Sequence, residues 1–125
     1  MTWIFADEVT PQTQLIQERL LDQDAIVPSL WSIEVANVVL VATRRKRIKV
    51  SEWPEIFNGL NELPIIQDDQ TFEQATKKSL HLANQHSISV YDATYLELAQ
   101  RLQIPLATLD KKLKSTAKSI GVKVF

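Results

Sequence analysis

The sequence predicts an α/β fold in which a mostly parallel sheet carries helices on both faces. Three features lead there. Short apolar runs at residues 25–27, 63–66, 87–91, 106–109 and 122–125 alternate with longer stretches of helical spacing. That alternation is what strand–helix–strand units require, because each parallel pair needs a crossover. Just two glycines in 125 residues leave little room for long flexible loops, and no repeat or low-complexity tract interrupts the pattern. The chain reads as one domain over residues 1–125, long enough to bury roughly two-thirds of its unfolded surface.

Each element has a local reason. Thr10 to Leu21 reads as a helix, with Thr10 as N-cap and Pro11 at the first helical position. Ala25-Ile26-Val27 is a short strand closed by Pro28. Ser29 then caps a helix reaching about Lys46, apolar around most of its circumference from Leu30 to Ala42 and so expected to be buried on most sides. Ser51 opens the next helix, with Glu52 and Glu55 in its first turn. Leu63 to Ile66 is a strand that tolerates Pro64 only at its start or on an edge. Thr71 to Asn84 is helical, with Asp68-Asp69 as the turn before it; Ser87 to Tyr91 is a strand and Ala93 to Leu102 a helix. Leu106 to Leu109 is a strand, Lys111 to Ile120 a helix stopped by Gly121, and Val122 to Phe125 a last strand.

Composition removes several function classes. The apolar share of 45% and the charged share of 23% are ordinary for a soluble globular protein. Without cysteine there is no disulfide, thiolate zinc site or thiol nucleophile. Val35 to Thr43, the uncharged stretch of the apolar helix, falls far short of the roughly 20 residues a bilayer needs, so no membrane role is expected. Met1 to Glu8 lacks a basic segment and meets acids too soon for a signal peptide, which makes a cytoplasmic protein the expectation. A net charge of −1 does not announce a nucleic-acid binder, but its distribution is uneven. Residues 1–25 hold five acids against Arg19, and residues 101–125 hold six Lys or Arg against Asp110. Arg44-Arg45-Lys46-Arg47 form a second basic cluster. Such clusters either complement a helix C-terminus or hold phosphates.

Three carboxylates stand out. Glu34 is the lone acid from Leu30 to Ala42, and Asp92 and Asp110 each end an apolar run and open a helix. A parallel sheet gathers ligands beyond the carboxyl ends of its strands, where both aspartates are placed. Each aspartate alone reads as a helix cap, and Glu34 is close enough to its helix start to profit from the dipole. Together they read as an oxygen-rich cluster suited to Mg²⁺ or Mn²⁺ and to phosphodiester hydrolysis. Thr108 is placed to orient that site through its hydroxyl, or is a β-former in its strand. His81 and His86 are too poorly spaced for metal pairing, and Tyr95 reads as core or partner surface.

Three segments carry a family resemblance: Val27-Pro28-Ser29-Leu30-Trp31-Ser32-Ile33-Glu34-Val35-Ala36-Asn37, Ser89-Val90-Tyr91-Asp92-Ala93-Thr94-Tyr95-Leu96-Glu97-Leu98-Ala99, and Leu106-Ala107-Thr108-Leu109-Asp110-Lys111-Lys112-Leu113. With the ending Gly121-Val122-Lys123-Val124-Phe125, the sequence resembles the VapC-type PIN-domain ribonucleases across essentially the whole chain. The resemblance implies a three-layer α/β/α fold and an endoribonuclease toxin using Mg²⁺ or Mn²⁺, held inactive by a VapB-type antitoxin. Glu34, Asp92 and Asp110 match metal-binding acids of that family. Arg44, Arg45, Lys46, Arg47, Lys111 and Lys112 would then hold the RNA backbone. In the family a central first strand ending in a catalytic Asp precedes the segment that Trp3-Ile4-Phe5-Ala6-Asp7-Glu8 resembles. In this chain that strand is expected to be missing and its place taken by another segment or a second copy, which makes a homodimer or an antitoxin complex the expected state. The nuclease is expected to be weak or inactive as a result. The rival expectation is a noncatalytic PIN-like module that dimerises or binds an antitoxin.

Overall fold

The computed structural model describes the backbone of Trp3–Phe5 and residues 25–124 in full; the helix expected at residues 10–21, and Asp7 and Glu8, lie outside that range. Within it the order is β1 (Trp3–Phe5), β2 (Ala25–Val27), α1 (Trp31–Arg44), α2 (Trp53–Asn61) after a 3₁₀ turn at Val50–Glu52, and β3 (Ile65–Gln67). There follow α3 (Thr71–Gln74), a π turn (Ala75–Ser79), α4 (Leu80–His86), α5 (Val90–Leu102), β4 (Leu106–Ala107) and α6 (Lys111–Ser119). Every strand pairing is parallel, in the spatial order β3-β2-β1-β4.

The sheet answers the expectation of a missing central strand. Trp3–Phe5 occupies the inner position, with Ile4 in register with Ile26 on one side and Leu106 on the other. Both rows of backbone donors and acceptors are thereby engaged within one chain, so the sheet itself calls for no second copy. Pro64 precedes β3, which is the sheet edge, and its carbonyl accepts from the Ala25 N–H at 3.0 Å.

Side chains alternate between the two faces of a strand, and the core divides accordingly. Leu106 and Ile26 join Tyr95, Leu96, Leu98, Leu113, Ala117 and Val122 in the larger cluster. Ala25, Val27 and Ala107 lie on the opposite face with Leu63 and Ile65 beside them, and Trp31 touches both clusters. A helix-clad sheet with apolar residues on both faces is the α/β architecture the sequence predicted. Among the described residues no helix is long and apolar enough to cross a membrane.

Four expectations need correction. Ser87 to Tyr91 is not a strand: Ser87 closes α4 in the left-handed region at φ 55°, and Ser89 starts α5 as its N-cap. The Ser89 hydroxyl oxygen accepts the Asp92 N–H at 3.0 Å, so a capping bond takes this β-rich run into a helix. Ser29 is not the cap of α1, which begins after Leu30 without a side-chain cap; the Ser29 N–H instead donates to Thr71 Oγ1 at 3.0 Å. Helix α1 buries Val35 and Val39, whereas Ile33 is 71% exposed, so it is not enclosed on most sides. Finally, the described part of the last expected strand is a single bridge from Val124 to Leu106, after Gly121 turns the chain at φ 82°.

Candidate functional site

Because all strands are parallel, the loops leaving their carboxyl ends share one edge of the sheet. From β2 the chain passes Pro28 into α1, whose first turn carries Glu34. From β4 it passes Thr108 and Leu109 to Asp110, the N-cap of α6. Asp92 arrives by another route. Helix α5 turns at residues 103–105 into the amino end of β4, so its own first turn lies toward the opposite edge, and there Lys112 Nζ donates to the Ser87 carbonyl at 2.6 Å.

Asp110 does what an N-cap does: its Oδ1 accepts the Leu113 N–H at 2.9 Å. Thr108 is 3% exposed, and its Oγ1 accepts the Asp110 N–H at 3.1 Å, which fixes the backbone that aims the carboxylate. Asp92, three residues after the cap of α5, is half-buried. Burial raises its carboxyl above the ordinary aspartate range, the charge of Asp110 pushes the same way, and a hydrogen bond from the Ser89 hydroxyl opposes both. Asp92 and Asp110 are thus near enough to repel.

Glu34 joins through Tyr95, a residue whose sequence context points to the core. The ring is in the core, 3% exposed, and its hydroxyl donates to Glu34 Oε1 at 2.6 Å across 61 residues of sequence. Burial pushes the phenol pKa up, and the hydrogen bond and charge of Glu34, then the charge of Asp92, add to the rise. Asp92 and Tyr95 sit three apart on one helix, which puts them on neighbouring surface positions; that spacing was the available signal. The acids therefore form a linked row: Asp110 beside Asp92, Asp92 beside Tyr95, Tyr95 bonded to Glu34.

Among the described residues no three His, Cys, Asp or Glu side chains stand close enough to hold a metal ion by themselves. The donor chemistry nonetheless fits a hard divalent cation. Mg²⁺ typically takes one or two protein carboxylates and completes its shell with water and substrate phosphate, and the Asp92–Asp110 pair supplies that number.

An immediate consequence is linkage. Asp92's folded pKa is raised above the unfolded value near 3.9, so its contribution favours the fold below that value and is lost as pH rises through the folded one. Asp92→Asn, without metal, is expected to match or exceed the wild type in thermal stability at pH 7 and to show no advantage near pH 4. Thermal scans at both values check this, and a less stable variant at pH 7 would refute it.

The other predicted residues are distributed. Arg44, Arg45, Lys46 and Arg47 are exposed at the C-terminal end of α1, complementing its dipole. At 1.5 Å per residue, Arg44 lies about 15 Å along the helix from Glu34. Lys111 and Lys112 directly follow Asp110 and are exposed. A cavity of about 440 Å³, lined by Gln100, Gln103, Pro105, Gly121 and Lys123 among others, opens beside the amino end of β4, away from the acids.

Sequence reasoning missed a part-buried ionic cluster. Arg101 Nη1 and Nη2 donate to Asp68 at 3.2 and 2.7 Å, and Nε and Nη2 donate to Glu97 at 2.7 and 3.3 Å. Glu97 first and Asp68 next raise the guanidinium pKa further still. Thr71 Oγ1 donates to Asp68 at 3.2 Å while accepting the Ser29 N–H, so the cluster reaches the loop before α1. The sequence suggests no more than a turn at Asp68; the residue is instead the acceptor at the centre of this network.

Each acid has an exposed apolar neighbour: Ile33 before Glu34 at 71% exposure, Tyr91 before Asp92 at 67%, and Leu109 before Asp110 at 71%.

The family model described as PIN domain matches residues 1–119. Ribonuclease VapC3 of Pyrobaculum aerophilum is 31% identical over 84 residues, covering 67% of this chain and 64% of that protein, so this chain matches somewhat under two-thirds of the relative's length. The crystal structure of PAE2754 from Pyrobaculum aerophilum superimposes with a TM-score of 0.73 at 18% identity, over 98% of this chain and 82% of the other. FitAcB from Neisseria gonorrhoeae gives a TM-score of 0.56 at 15% identity, over 100% of this chain and 96% of the other. At those identities the two structures speak for the fold.

Proposed function

Since the chain belongs to the PIN-domain family, we propose that it is a VapC-type endoribonuclease dependent on Mg²⁺ or Mn²⁺, acting as the toxin of a toxin–antitoxin pair. The observation that carries the reading is the row of acids at the carboxyl edge of the sheet: Asp110 caps α6 just after β4, Asp92 lies in the first turn of α5, and Glu34 is tied in through Tyr95. The similarity to a protein named as a ribonuclease supports it.

In this reading Asp92 and Asp110 would hold the cation directly, and Glu34 would complete the site through a water bound to it. Bound there, it would lower the pKa of water and neutralise phosphate charge. Thr108 keeps Asp110 in place by accepting its backbone N–H. Lys111 and Lys112 contact phosphates close to the acids, and the Arg44–Arg47 cluster holds the RNA backbone farther along. Salt dependence of RNA affinity that falls on neutralising Arg44 and Arg45 accompanies that assignment.

Ile33, Tyr91 and Leu109 are each exposed and each next in sequence to one of the acids, which favours a protein partner that covers the site, as a VapB-type antitoxin would. It also keeps the second reading, a noncatalytic PIN-like module that dimerises or sequesters an antitoxin. Calorimetric titration with Mn²⁺ alongside an RNA cleavage assay separates the two. Saturable Mn²⁺ binding with metal-dependent cleavage supports the nuclease; antitoxin binding without either supports the module.

A further inference from the structure

We propose that Tyr95 is the positioning residue of this site, fixing the Glu34 carboxylate of α1 against the helix that carries Asp92. The inference rests on the reading that these acids hold a divalent cation, and it adds a residue that acts through another.

Three observations carry it. First, the contact is short: 2.6 Å from the Tyr95 hydroxyl to Glu34 Oε1, inside the range of a charge-assisted O–H···O⁻ bond. Second, the donor has little freedom to leave. Tyr95 is 3% exposed and belongs to the main core with Leu96, Leu98 and Leu106, so its hydroxyl is held by ring packing. Third, the bond ties together two elements far apart in the chain, α1 after β2 and α5 before β4. A glutamate has three side-chain torsions to order before it can hold the cation or a water bound to it. A phenol anchored in the core orders them in advance, just as outer-shell partners orient the ligands of metal sites.

A purely structural tyrosine would satisfy its own hydroxyl and do nothing for Glu34's hold on the cation or its water. The difference is measurable without catalysis. Mn²⁺ affinity is determined by calorimetry for the wild type, Tyr95→Phe, Glu34→Gln, the double variant and Asp92→Asn, with unfolding followed for each. Tyr95→Phe keeps the ring and is expected to bind Mn²⁺ about 10- to 100-fold more weakly, the usual effect of losing an outer-shell partner. In the Glu34→Gln background the same change is expected to have little further effect, because its route to the metal is already cut.

Full Mn²⁺ affinity in a folded Tyr95→Phe protein, beside weakened binding in Asp92→Asn, overturns the positioning role and leaves the metal reading intact. An equal loss from Tyr95→Phe with and without Glu34→Gln overturns it too. Absence of Mn²⁺ binding to the wild type overturns both. A second measurement does not depend on the variant folding. The chain has two tyrosines, so ζ-¹³C-tyrosine labelling gives two resolvable signals. Mg²⁺ titration is expected to shift that of Tyr95 and lose the shift in Glu34→Gln; a Tyr95 signal indifferent to saturating Mg²⁺ refutes the role.

Discussion

Arg101→Ala is expected to destabilise the fold by about 3–5 kcal/mol, the usual cost of removing one partner from a buried ion pair. The guanidinium is 16% exposed, and its two carboxylate partners, Asp68 and Glu97, are 7% and 3% exposed. Without the cation both acids remain in a poorly solvated pocket facing one another. Against a total stability of roughly 5–15 kcal/mol, that loss brings the protein close to unfolding. Arg101→Lys keeps the charge but offers a point donor where a planar fork serves two carboxylates, so it should recover part of the loss. Changing all three residues together, Asp68→Asn, Glu97→Gln and Arg101→Met, should cost less than Arg101→Ala alone, because no charge is left buried. Urea unfolding of the wild type and these variants tests this, and a loss under about 1 kcal/mol in Arg101→Ala would show that water already screens the pair.

The second large effect falls on chemistry. Asp92→Asn is expected to lower metal-dependent RNA cleavage by about 10² to 10³-fold, by analogy with losing a single transition-state contact. Asparagine keeps the shape but not the charge, and in the proposed site Asp92 is the acid most clearly coupled to a second one, Asp110. The same substitution is expected to leave the protein as stable or more so at neutral pH. Opposite signs for activity and stability at one residue are typical of a site whose charges repel when empty. Single-turnover cleavage with Mg²⁺ or Mn²⁺, read beside a thermal scan, checks the pair of outcomes. Undiminished cleavage in a folded Asp92→Asn protein would remove Asp92 from the site.

Much of the architecture was legible in the residues. Ala25–Val27 and Leu106–Ala107 announce themselves as apolar runs, and Pro64 restricts its strand to one that starts there or lies on an edge, both of which hold for β3. Asp110 was legible as a cap because capping is a local bond to the Leu113 N–H three residues on. Residues 87–91 misled because Ile88, Val90 and Tyr91 favour strands one at a time, while Ser89 followed by Asp92 is a helix-start signature that wins locally. The Arg101–Asp68 pair was out of reach, since nothing in either residue's neighbourhood points to a partner 33 positions away. Tyr95 was half legible: its burial followed from the apolar helix around it, but the bond to Glu34 depends on how α1 and α5 cross.

The inner strand of the sheet has a partner far along the chain on one side. Ile4 pairs with Ile26, but its other neighbour is Leu106, about a hundred residues later. Such a pairing closes a long loop before it gains contact energy, the step that slows parallel folds. During synthesis, the β1–β4 seam has to wait until β4 has left the ribosome. Asp110 arrives with β4 and cannot meet Asp92 before then. The acidic edge is therefore among the last features to take shape, and a chain stopped short of β4 would carry Glu34 and Asp92 without assembling it.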